Sequence, residues 1–183
     1  MPLPLPSAER TLMHVRSVQL EGYKRVDGLW DIEAHLVDTK NHEYYLSSKT
    51  VARGEAVHDM WVRATIDHKM NVVDAAACTD AMPYEGSCDR VAPDYSKLIG
   101  LNLFHGFRKA VKELFGATRG CSHITEMLMS LPTAAMQTFA SDVRDNEDSG
   151  HKPYQLDKCH ALASNSDVVQ RYYPLWYRGL KTG

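Results

Sequence analysis

The stretch Gly120-Cys121-Ser122-His123-Ile124-Thr125-Glu126 brings a thiol, an imidazole and a carboxylate together where an apolar helical pattern begins. A helix start offers unpaired backbone N–H groups and the positive end of the peptide dipole, so a thiol placed there ionises more readily than a free one. The thiolate is the form that ligates metals or attacks carbon. His123 and Glu126 lie three apart and share a face once the helix has begun. The acid is already accounted for by the dipole, which leaves Cys121 and His123 as the chemical core of the stretch.

Two further clusters carry compatible side chains: His58-Asp59 at the start of a strand, and Asp157-Lys158-Cys159-His160 near the end of the chain. Soft thiolate with imidazole suits zinc or iron. The expected ligands of a mononuclear ion are therefore drawn from His58, Cys121, His123, Asp80 and Cys159, and ligands from separate elements would also pin the tail to the core. A metal-free alternative uses Cys121 as nucleophile, His123, His58 or His160 as base, and Asp80 as a second acid/base group. The third reading is an accessory or structural subunit, in which the cysteines are buried, the histidines are hydrogen-bonded and Asp80 shapes a turn. Whether the protein is an enzyme is left open. Arg63 lies five residues after His58 on one strand, so alternation puts it on the opposite face, solvated or paired with an acid of a neighbouring strand.

The elements that must position these groups follow from periodicity. Residues 1–9 alternate proline with leucine and alanine and read as an extended arm. Met13, Val15, Val18, Leu20 and Tyr23 predict a strand with an irregularity, Asp27-Gly28 a turn, and Trp30, Ile32, Ala34 and Leu36, alternating with Asp31, Glu33 and His35, a return strand with one wet face. Lys40 to Ser48 is polar and aromatic, and Val51 to Glu55 reads as a connecting turn. A second hairpin runs from His58 to Asp67, with Met60, Val62, Ala64 and Ile66 inward, and returns over Val72 to Thr79. Beyond a loop with Pro83, Gly86 and Pro93 the pattern turns helical. It places a short turn at Tyr95 to Leu98, a helix from Gly106 to Phe115, and a second from Cys121 to Phe139 that Pro132 kinks or splits. Residues 142–151 read as a polar, mobile linker, and 152–178 as a tail that packs back on the body of a single domain spanning 1–183. The expected fold class is α+β: an antiparallel sheet of two successive hairpins in the first half, packed by the helices of the second half.

Composition narrows the function classes. The chain has 183 residues, 44% hydrophobic and 24% charged, with a formal net charge of −2. That charge supplies no basic field for nucleic acid. No apolar run approaches the roughly 20 residues of a membrane span, and the start lacks the pattern of a secretory signal, which predicts a cytoplasmic protein. Under the enzyme readings the expected substrate is a small molecule of aromatic or acyl catabolism. Cys78, Cys88, Cys121 and Cys159 form no close pair and are expected as thiols.

The segments Gly22-Tyr23, Asp27-Gly28-Leu29-Trp30-Asp31-Ile32-Glu33, His58-Asp59-Met60-Trp61, Thr79-Asp80 with Pro83-Tyr84, Gly120-Cys121-Ser122-His123 with Glu126, and Leu156-Asp157-Lys158-Cys159-His160-Ala161-Leu162 with Tyr173-Pro174 resemble a bacterial domain-of-unknown-function family, number 2889. The resemblance implies that these residues form one site and brings no activity with it. More distantly, the order of hairpin, helices and Arg119-Gly120-Cys121 is similar to the U-type iron–sulfur scaffold fold. In that family three cysteines converge on a metal. Here His58 stands where the first would fall and only Cys121 remains, so the likeness implies a mononuclear ion on His58, Cys121 and a carboxylate or second histidine.

Overall fold

The structure, a computed structural model, describes residues 3–140, 150–153 and 155–179. Most of the expected linker at 142–151 lies outside the described residues. The chain divides into two compact units, Met1–Thr138 and Phe139–Gly183.

The first unit is built on a four-stranded antiparallel sheet of β1 (His14–Lys24), β2 (Trp30–Lys40), β5 (Ala56–Ile66) and β6 (Val72–Ala81), in the order β1-β2-β5-β6. The two hairpins lie side by side, with β2 and β5 in the centre. Trp30, Ile32, Ala34 and Leu36 of β2 and Met60, Val62, Ala64 and Ile66 of β5 are buried on one face, as their alternation requires. A small ladder of β3 (Tyr44–Tyr45) and β4 (Thr50–Val51) forms between the hairpins, where the sequence suggested only polar connection.

Helical segments complete this unit: a 3-10 stretch over Asp89–Leu98, then α1 (Phe107–Phe115), α2 (Ser122–Leu128) and α3 (Leu131–Ala140). The 3-10 stretch extends well beyond the expected turn at Tyr95 to Leu98, and Tyr95 and Leu98 are its buried residues. The expected long helix is split in two, with Pro132 inside the first turn of α3, where its missing N–H leaves no bond unmade. Tyr95, Val111, Phe115, Ile124, Leu128 and Leu131 are buried with the inner sheet residues, so the α+β class and its two-hairpin arrangement are observed.

The irregularity expected in β1 is absent: its pairing with β2 is continuous from His14↔Lys40 to Lys24↔Trp30. As an edge strand most of its residues are exposed on either face, so apolar side chains need not alternate. The breaks fall instead at the outer ends of the central pairings, at Asp38/Thr39, Asp59/Met60 and Thr65/Ile66.

The second unit contains α4 (Asp167–Tyr172) and 3-10 turns at His160–Leu162 and Pro174–Trp176. Ser166 caps α4, its Oγ accepting the Val169 N–H at 3.2 Å. Asp157 accepts both the N–H and the Oγ–H of Ser164 at 2.7 Å.

Candidate metal centre

Three strands present a row of polar groups on the inner face of the sheet. Arg16 of β1 is the register partner of Asp38 on β2, and Asp38 is the partner of His58 on β5. Asp38 has the same parity as Ile32, Ala34 and Leu36, so it points into the protein and is only 3% exposed. An ionised carboxylate is an acceptor only, so each neighbour must donate to it. Arg16 donates Nε–H to Oδ1 and Nη2–H to Oδ2, both at 2.8 Å; His14 donates Nε2–H to Oδ1 at 2.8 Å; His58 donates Nδ1–H to Oδ2 at 3.0 Å. Burial works to raise the Asp38 carboxyl, but the Arg16 guanidinium and the histidines outweigh it and hold the group far below the usual carboxylate range.

The fourth side of the cluster comes from α2. His123, in its first turn, packs its ring on His58 with centroids 3.9 Å apart, and its Nε2 stands 3.6 Å from Asp38 Oδ2. One turn further on, Glu126 accepts an N–H of Arg16 Nη1 at 2.7 Å, which ties α2 to the edge strand. Burial, and then the neighbouring His123, push the His58 imidazole below its ordinary pKa; burial, and then Arg16, do the same to His123. Both imidazoles are therefore neutral near pH 7, the form in which histidine ligates.

Cys121 occupies the N-cap position of α2 and is anchored through its backbone. Its N–H donates to Tyr95 Oη at 2.9 Å, and the Tyr95 hydroxyl donates back to its carbonyl at 3.1 Å. Gly120 allows this close turn: a Cβ there would lie 2.8 Å from Phe115 Cβ. The Cys121 Sγ is 3.8 Å from His123 Nδ1 and 3.6 Å from the Sδ of buried Met60. It thus stands beside the ring nitrogen that faces away from Asp38.

Asp38, His58 and His123 each offer a ligand atom within 4.8 Å of the others, and among the described residues they are the group that could hold a metal ion. Of the residues expected from sequence, His58 and His123 belong to it and Cys121 lies beside it. Asp80 is elsewhere: with Glu33, Trp61, Arg63 and Cys78 it lines a groove of about 420 Å3 on the opposite face of the sheet. Arg63 is on that opposite face, as its parity implied, and of the two states left open for it the structure shows the pairing with a neighbouring-strand acid, Glu33, at 2.7 Å. Cys159 and His160 are exposed residues of the second unit. The carboxylate that sequence reasoning missed is Asp38. Its signal was a charged residue that continues the core parity of β2.

The family described as "Protein of unknown function (DUF2889)" matches residues 14–137, which contain the whole cluster. The tail segments that share the resemblance lie outside that range. No curated protein and no solved structure matches the chain, and the likeness to an iron–sulfur scaffold stays an expectation from sequence alone.

Proposed function

We propose, for a chain that belongs to the DUF2889 family of proteins of unknown function, that it binds one divalent metal ion through Asp38, His58 and His123. The observation that carries this reading is the convergence of three ligand atoms within 4.8 Å from three separate elements. Tetrahedral coordination at about 2.0–2.2 Å needs ligand atoms about 3.3–3.6 Å apart, and the separations from Asp38 Oδ2 to the two imidazoles are 3.0 and 3.6 Å. An ion held at His58 Nδ1 would take the place of the proton now shared with Oδ2, and the ring would carry that proton on Nε2 instead, remaining a neutral imidazole. Two histidines and one carboxylate suit zinc or iron(II). Three protein ligands leave a position for water or substrate, the pattern of a reactive centre acting on a small molecule. The four free thiols fit a reducing cytoplasm.

Metal titration of the chelator-treated protein tests the reading: one zinc or cobalt(II) ion should bind per chain, and His58→Ala and His123→Ala should each weaken binding at least about tenfold. Absence of stoichiometric binding, or binding that both variants retain, refutes it.

A second reading follows from the line Cys121 Sγ, His123 Nδ1, His123 Nε2, Asp38 Oδ2, whose two gaps are 3.8 and 3.6 Å. It makes Cys121 a nucleophile, His123 its base and Asp38 the group that orients the base. Rapid iodoacetamide labelling of Cys121 well below the ordinary thiol pKa supports it; labelling that follows an unperturbed thiol argues against it.

A further inference from the structure

We infer that Cys121 is a positioning residue of the metal centre: its sulfur, seated between Met60 and the His123 ring, fixes the tautomer of His123 and does not itself ligate the ion. The inference rests on the three-ligand reading above and concerns what sets the third ligand.

The geometry separates the two ring nitrogens of His123. Nδ1 faces the Cys121 sulfur at 3.8 Å, and Nε2 faces Asp38 Oδ2 at 3.6 Å, beyond hydrogen-bond range. The sulfur has a second neighbour, Met60 Sδ at 3.6 Å, and a thioether offers no proton, so the contact is made by the thiol S–H donating to Met60. With its proton directed at Met60, the Cys121 sulfur has lone pairs left for His123 Nδ1–H. The chain Nδ1–H to Sγ, then Sγ–H to Sδ, leaves the proton of neutral His123 on Nδ1 and the lone pair on Nε2. That lone pair points at the oxygen of an anionic carboxylate with no proton between them. A cation shared by Nε2 and Oδ2 satisfies both groups at once.

The surroundings keep the sulfur in this place. Met60 is buried in the core face of β5 and cannot swing away. Tyr95, itself fully buried, fixes both the N–H and the carbonyl of Cys121. A metal-ligating histidine held through its other nitrogen is the usual arrangement for setting ring orientation. For Cys121 to join the ion alongside His123 Nε2 it would have to leave Met60 and cross to the other side of the imidazole.

Cobalt(II) binding and nitrogen-15 NMR of the histidine rings test this in the full chain. The cobalt spectrum of the wild-type protein should lack a thiolate-to-metal charge-transfer band, and the apo protein should show His123 as the Nδ1–H tautomer. Cys121→Ala should weaken cobalt binding about tenfold and mix the tautomers, whereas Cys121→Ser, which keeps a donor and an acceptor at that position, should recover most of the affinity. A charge-transfer band in the wild-type complex, or unchanged affinity and tautomer in Cys121→Ala, overturns the proposal. If the wild-type protein binds no cobalt, the metal reading itself has failed, and the tautomer comparison still decides whether Cys121 sets the ring.

Discussion

Asp38 concentrates the electrostatics of the first unit, because one buried carboxylate serves as acceptor for Arg16, His14 and His58. Replacing it by Asn keeps the shape but leaves the guanidinium without its counter-charge. Asp38→Asn should cost about 3 kcal/mol, at the low end for breaking a buried ion pair because Arg16 keeps Glu126. A lowered urea midpoint with unchanged slope would report it. The same groups set the acid response. His58 and His123 have pKa values depressed in the folded state, so the unfolded chain binds protons first. Stability should begin to fall as pH drops below about 6.5, the unfolded imidazole value, and stop falling on this account once the folded pKa values are passed. A second decline should open below about 3.9, where the unfolded carboxyl of Asp38 protonates while the folded one stays ionised. Urea midpoints measured from pH 8 to pH 3 should show the first step and the onset of the second, and Asp38→Asn should shrink the second without abolishing it, because Asp157, Asp27 and Asp67 are also held below the usual carboxylate range. A profile that is flat through the imidazole range contradicts the buried, neutral state assigned to the two rings. Sequence pattern alone placed His58 and His123 among the candidate ligands but passed over Asp38, the carboxylate that lies with them, since the reading of β2 attended to its wet face of Asp31, Glu33 and His35. Only the non-local pairing of β2 with β5 sets His58 opposite Asp38, and local periodicity does not encode that register.

At the scale of elements, the sheet is legible from sequence because its two central strands obey strict alternation, and the surprises lie where burial is one-sided or partial. β1 was misread as irregular for that reason. Asp80 was placed at the site by its position near a strand end. On β6, however, Thr79 is the partner of inward-facing Met60, which turns Asp80 to the opposite side. Sequence could not supply that parity, since a one-residue slip exchanges the faces. The seating of α3 on the edge strand also depends on a single residue type. A Cβ at Gly22 would lie 1.8 Å from Thr138 Oγ1 and 2.7 Å from Thr138 Cβ, so more than a flexible side-chain end would have to give way. Gly22→Ala should therefore destabilise the protein by about 2 kcal/mol through overpacking. Thr138→Ala in the same chain should recover part of the loss, because it removes Oγ1 and Cγ2 but leaves Cβ. Calorimetric unfolding of the two single variants and the double variant measures this coupling; strictly additive losses would show that the contact is not the cause.

For the whole molecule, the division into two units bears directly on which residues the centre needs. Asp38, His58, His123, Arg16 and Cys121 all belong to Met1–Thr138, and the family match ends at residue 137, one residue short of that boundary. The four-stranded sheet and the buried faces of α1 and α2 also fall inside this unit, which is long enough to bury a core of its own. Cys159, the tail thiol expected to contribute a ligand, belongs to Phe139–Gly183. A chain ending at Ala140 keeps α3 entire and removes everything beyond it. It should unfold in one cooperative transition and bind one cobalt(II) ion with an affinity within about threefold of the full chain, a difference below about 0.7 kcal/mol. Cys159→Ser in the full chain should leave the same affinity unchanged. If the shortened chain folds but loses the ion, a ligand resides in the second unit. Loss on Cys159→Ser would then identify it, and the centre would have four protein ligands, a closed structural site in place of the open one that three ligands leave.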